Sequence, residues 1–86
     1  MNPYRVILKP RAERDLDALP IEIARRIWRK LEMLEIDPRP RTAVKLIREE
    51  GAYRIRVGDY RVVFLVNDGE RIVEVIRVAH RRDVYR

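Results

Sequence analysis

Residues 53–66 read YRIRVGDYRVVFLV, and the period of this stretch decides the fold. Tyr53, Ile55 and Val57 alternate with Arg54 and Arg56, the two-residue repeat of a strand with one buried and one polar face. Gly58-Asp59 then offers a tight turn into a second strand, Tyr60 to Asn67. Asp68-Gly69 is a hairpin signal of the strongest short-range kind, and Arg71 to Ala79 reads as a third strand. The three form an antiparallel meander. Because a strand holds its polar side chains on one face, Arg54, Arg56 and Arg61 are expected to make a fixed cationic surface.

Upstream, Tyr4, Val6 and Leu8 alternate with Arg5, Ile7 and Lys9, a short strand with apolar surroundings on both faces. Pro10 suits the first turn of a helix. Ala12, Leu16 and Leu19 lie at helical spacing, and Pro20 stops that helix while opening the next. Ile23, Ala24, Ile27, Trp28, Leu31 and Leu34 then make a broad apolar stripe, with Arg25, Arg26, Arg29, Lys30 and Glu32 on the wet side. Asp37-Pro38-Arg39-Pro40 ends this second helix. Arg41 to Ala52 fits either a turn of helix or an irregular loop packed on the core. The expected architecture is α+β: an N-terminal strand and a two-helix hairpin packed on a mainly antiparallel sheet of about four strands, in one domain spanning residues 1–86. One sheet face is left for a partner or substrate.

The 86 residues allow one small core, and 40% charged against 47% hydrophobic residues fit neither a disordered tail nor a membrane protein. Val62 to Val66 is the longest apolar run, far short of a span. MNPYRVILKPRAERD meets Pro10 and charges before any signal-type apolar segment can form, so a cytoplasmic protein without a membrane partner is expected. With no cysteine, disulfides and thiolate metal sites are excluded. No metal or other cofactor is expected.

Seventeen arginines and three lysines face fourteen acidic residues, for a net charge of +6. Guanidinium is a planar fork suited to bidentate phosphate contacts and to stacking on bases. Arg54, Arg56 and Arg61 are expected to converge where two strands pair, joined by Arg77, Arg81 and Arg82 from the last strand and the tail. Such a cluster reads as a solvated charged face or as a nucleic-acid site. His80, the single histidine, suits a surface or capping position as well as proton transfer. Trp28 and Phe64 fall on apolar stripes and are expected in the core. Tyr85 follows no apolar period.

At YRIRVGDYRVVFLV followed by VIRVAHRRDVYR the chain resembles the RelE family of toxins, within the RelE/ParE superfamily. The resemblance covers nearly the whole chain. It implies a RelE-like fold and the toxin of a type II toxin–antitoxin pair, a metal-independent endoribonuclease or mRNA interferase. Such a toxin binds RNA, cleaves message in the ribosomal A site and so inhibits translation. It also implies a cognate antitoxin that wraps around the toxin. Carried over by position, the residues that hold and cleave RNA fall on Arg54, Arg56, Arg61, Arg81 and Tyr85. In the family the positions of Arg54 and Arg56 are commonly lysine, one a candidate for accepting the 2′-hydroxyl proton. Arginine stays protonated below a pH of about 12, so His80 is the expected proton carrier. Arg61, Arg81, His80 and Tyr85 are thus the expected catalytic residues, and Arg54, Arg56, Arg77 and Arg82 the expected RNA-binding ones.

Two other activities are compatible with the same chain. ParE-type toxins share the fold and inhibit DNA gyrase without this arginine and tyrosine set. A non-catalytic module would use the same cations only to grip RNA or an acidic antitoxin segment.

Overall fold

A computed structural model describes residues 3–83. The elements run β1 (Arg5–Leu8), α1 (Pro10–Asp17), α2 (Ile21–Leu34), β2 (Val44–Lys45), β3 (Ala52–Val57), β4 (Tyr60–Asn67) and β5 (Ile72–His80). They build the expected α+β layers, with five strands where about four were expected, in the order β1-β5-β4-β3-β2. The additional strand is β2, inside the stretch whose state the pattern left open. Val44 pairs with Arg54 and Lys45 with Tyr53.

The meander is antiparallel, and β1 joins it parallel to β5, with Arg5 opposite Ile72 and Leu8 opposite Val75. Proline punctuates the helices as expected: Pro10 occupies the first turn of α1, and Pro20 is the N-cap of α2. No helix among the described residues is long and apolar enough to cross a membrane.

One sheet face carries the core. Ile55 and Val57 of β3, Val62, Phe64 and Val66 of β4, and Val73, Val75 and Val78 of β5 meet Ala12 and Leu16 of α1 and Ile27, Leu31 and Leu34 of α2. Phe64 is fully buried and stacks at 6.0 Å on Tyr53. Trp28, expected in the core, is 45% exposed instead. It lies about 100° around the helix from Ile27, past the arc set by Ile27, Leu31 and Leu34, so the sheet does not reach it.

A bulge resets β5. Val63 pairs with Arg77 and Phe64 with Val75, so Ile76 is the extra residue. Strict alternation from Val73 and Val75 would aim Arg77 into the core. The extra residue instead puts Val78 in line with Val75 and sends Arg77 and Ala79 to the opposite face.

Candidate nucleic-acid interface

The cationic cluster follows from register. Arg56 of β3 stands directly opposite Arg61 of β4, and Arg54, two residues earlier, shares their face. The three arginines line a cleft of about 320 Å³, with Thr42, Val44 and Ile55 as the remaining wall. Arg56 is fixed by a 2.8 Å bond from its Nε to Gly58 O. The Nε of Arg61 is shielded from solvent. Like charges directly opposed across a ladder cost free energy, and a bound polyanion removes that cost.

The turn that ends this surface has two residues, since Val57 pairs with Tyr60. Gly58 takes φ +60° while Asp59 does not, the division expected of a type II′ hairpin. Asp59 O accepts the Arg81 N–H at 2.8 Å, which ties the start of the tail to the arginine-bearing hairpin. Arg81 follows His80, the last residue of β5, in the turn after the strand.

His80 occupies the other face. It pairs with Tyr60, and the two rings meet edge-on at 5.4 Å. Its Nδ1 accepts the Arg82 N–H at 3.3 Å and its carbonyl accepts the Asp83 N–H at 2.8 Å, so His80 caps the turn after β5. With Nδ1 accepting, the neutral ring carries its proton on Nε2. Tyr85 lies outside the described residues.

Arg77 shares the row of the cluster, but its guanidinium is turned away. Its Nε bonds Asp15 Oδ2 at 3.0 Å, and the same oxygen accepts the Val78 N–H at 2.8 Å. β1 ends opposite Val75, so the Asp15 carboxylate continues the edge of β5 where the ladder stops. Burial pushes the Asp15 pKa up, but the bonds from Val78 N–H and Arg77, with Arg11 beside them, outweigh it and hold the carboxyl below its ordinary value.

Thr42, which no sequence signal marked, sits in a loop held by three residues outside it, Asp68, Tyr53 and Tyr4. Arg39 makes a two-pronged bond to Asp68 at 3.1 and 2.7 Å, and its Nε reaches Tyr53 OH at 3.0 Å. The Tyr4 hydroxyl donates to Asp68 Oδ1, and Tyr4 N–H to Glu35 O at 2.7 Å. The bonds from Arg39 and Tyr4 hold the Asp68 carboxyl low; the bond to Asp68 in turn raises the Tyr4 hydroxyl. The same carboxylate, followed by Tyr53, pushes Arg39 further above its ordinary value. This latch presents Thr42 beside Arg56, where it lines both the sheet cleft and a second groove.

Comparison with known proteins points one way. A family model described as the ParE toxin of the type II toxin-antitoxin system, parDE, matches residues 6–85. Toxin RelE of Mycobacterium tuberculosis is 37% identical, over 99% of this chain and 89% of its own. The toxin-antitoxin complex RelBE2 from the same species contains a chain with TM-score 0.80 and 32% identity, covering 91% of this chain and 98% of that one. The archaeal RelE-RelB complex from Pyrococcus horikoshii contains one with TM-score 0.83 and 31% identity, covering 96% and 99%.

Proposed function

The chain belongs to the family of ParE toxins of type II toxin-antitoxin systems, in the RelE/ParE superfamily, and on that premise we propose that this RelE-like toxin cleaves messenger RNA at the ribosome. The observation that carries the reading is the Arg56–Arg61 pair with Arg54 beside it: three guanidinium groups preorganised on one sheet face. The relatives named RelE support RNA cleavage over the gyrase inhibition of ParE-type toxins.

The chemistry needs no metal. The ribose 2′-oxygen attacks the adjacent phosphorus, the bond from phosphorus to the 5′-oxygen breaks, and one proton passes from the 2′-hydroxyl to the leaving oxygen. Negative charge builds on the phosphoryl oxygens. Arg61 and Arg81 neutralise it, while Arg54 and Arg56 hold neighbouring phosphates, with Arg82 at the tail. Fixed cations stabilise that charge more in the transition state than in the ground state, the kind of electrostatic effect that is often the largest single one. Tyr85 stacks on a base. His80, the expected proton carrier, stands on the sheet face opposite Arg61 with its ring against Tyr60, and the His80→Ala variant decides whether it moves the proton.

A cognate antitoxin neutralises the toxin, as the solved complexes of similar chains support. The short β2 edge, with Val44 half exposed and Ile47 fully exposed, offers such a partner a strand to extend and apolar surface to cover.

The test is cleavage of message on programmed ribosomes beside naked RNA, with a DNA gyrase supercoiling assay in parallel. We expect cuts in ribosome-bound message, lost by at least a hundredfold in Arg61→Ala and Arg81→Ala, and unimpaired gyrase. Gyrase inhibition without RNA cleavage would overturn the reading. If His80→Ala cleaves near the wild-type rate, the proton carrier lies elsewhere and catalysis rests on arginine electrostatics and positioning.

A further inference from the structure

A second groove runs along α2 on the far side of Arg56, with a volume of about 500 Å³, and Arg26, Thr42, Arg56, Gly58, Asp59 and Tyr60 line it. It continues past Arg29 and Lys30. Two guanidiniums seat on one glycine here. The Arg26 Nη1 and Nη2 lie 3.5 Å from where a Cβ of Gly58 would stand, and Arg56 Nε bonds Gly58 O at 2.8 Å. Among the described residues no ion pair involves Arg26, Arg29 or Lys30, and all three are exposed. Like charges three and four residues apart on a helix repel each other, so this shoulder holds its cations at a cost that an anion would remove.

Arg56 and Thr42 belong to both the sheet cleft and the α2 groove. A strand of RNA lying across the sheet cluster therefore has a continuous cationic path over Arg56 onto α2. We propose that the α2 groove, through Arg26, Arg29 and Lys30, binds the phosphodiester backbone of the single-stranded segment flanking the scissile phosphate. This rests on the reading of the sheet cluster as an RNA site. Among the described residues Asp59 is the one carboxylate lining the groove, and it opposes the bound backbone.

The experiment measures equilibrium binding of non-cleavable 2′-O-methyl oligonucleotides, a trimer and a dodecamer, as a function of salt. The variants are the triple Arg26→Ala/Arg29→Ala/Lys30→Ala and the single Asp59→Asn. The triple variant keeps strong helix formers on an exposed face, and circular dichroism verifies its fold. The expected result is a loss of about tenfold or more for the dodecamer, with a salt slope shallower by about 2, at roughly 0.7 per phosphate, and no change for the trimer. Asp59→Asn should bind the dodecamer more tightly. Equal dodecamer affinity in wild type and triple variant overturns the proposal, as does weaker binding by Asp59→Asn. So does a triple variant that binds both oligonucleotides normally but loses ribosomes, which assigns the groove to ribosomal RNA, or loses only the antitoxin, which assigns it to the protein partner. If wild type binds neither oligonucleotide off the ribosome, the dodecamer and trimer are compared as messages in programmed ribosomes by the same criterion. Wild type failing there as well removes the RNA reading together with this one.

Discussion

At position 58 the backbone sets the residue. Gly58 holds φ +60° in a two-residue turn, a conformation that costs a residue with a Cβ about 1–2 kcal/mol. Gly58→Ala should lose about that much stability in urea titration, with the sheet register kept. The contrast between Phe64 and Trp28 is sharper. Phe64→Ala empties the centre of the core and should cost about 3–5 kcal/mol. Trp28→Ala should cost about 1 kcal/mol, because the indole lies half outside the packed arc. Both are read from denaturation midpoints at unchanged slope. The apolar period of α2 was legible residue by residue, yet it overstated the stripe: a helix wheel shows which side chains are neighbours, not how far the opposing sheet extends.

Among the elements, β5 depends most on groups far from it in sequence. Asp15 reaches it from α1 to take the Val78 N–H and Arg77. Asp15→Asn should cost about 1.5–3 kcal/mol at neutral pH, the range for hydrogen bonds to a charged group. The sign with pH follows from the lowered carboxyl. Its stabilisation is complete above the ordinary carboxylate value near 4 and is lost as pH falls through the lower folded value. Acid titration of stability should therefore be flatter in Asp15→Asn than in wild type. The α2–β2 loop should respond to Asp68→Asn, which weakens the Arg39 latch: amide exchange across residues 37–43 should accelerate, and RNA affinity should fall with Thr42 no longer held.

The meander was legible because alternation and turn chemistry agree there, from Tyr53 through Asp68-Gly69. The hairpin at Asp68 forms with a four-residue connection, since Asn67 pairs with Ile72 and Arg71 takes the positive φ. β2 was not legible: two residues carry no period, and their pairing depends on a loop tethered by Arg39 to a residue 29 positions away. Nor was the path of Arg77, which turns on a bulge at Ile76 and a carboxylate 62 positions upstream. Of the candidate site, Arg54, Arg56 and Arg61 come together as their spacing required. His80 falls on the opposite face because it follows Ala79, the partner of Arg61, by one residue.

For the molecule as a whole the governing quantity is charge. A net +6 with an arginine-bearing sheet face makes the proposed binding to RNA salt-dependent. Arg61→Ala should flatten the log–log slope for single-stranded RNA by about 0.7, the share of one phosphate. An Ile36 variant, remote from the cluster, should leave that slope unchanged.

The parallel pairing of β1 with β5 has a further consequence, which concerns timing. Arg5 meets its partner Ile72 only after the 67 intervening steps from residue 5 to residue 72 have been synthesised. β5 is also the strand against which α1 packs and beside which β4 lies. A growing chain therefore has both helices and the four strands β1 to β4 to offer, but not β5, the strand that joins β1 to the meander. Contacts so distant along the chain delay folding until both ends of the pair exist. The Arg81 side of the cluster follows β5 directly, so the finished cationic surface arrives late in synthesis. On the proposed function, that order of assembly spares the ribosome that makes the toxin.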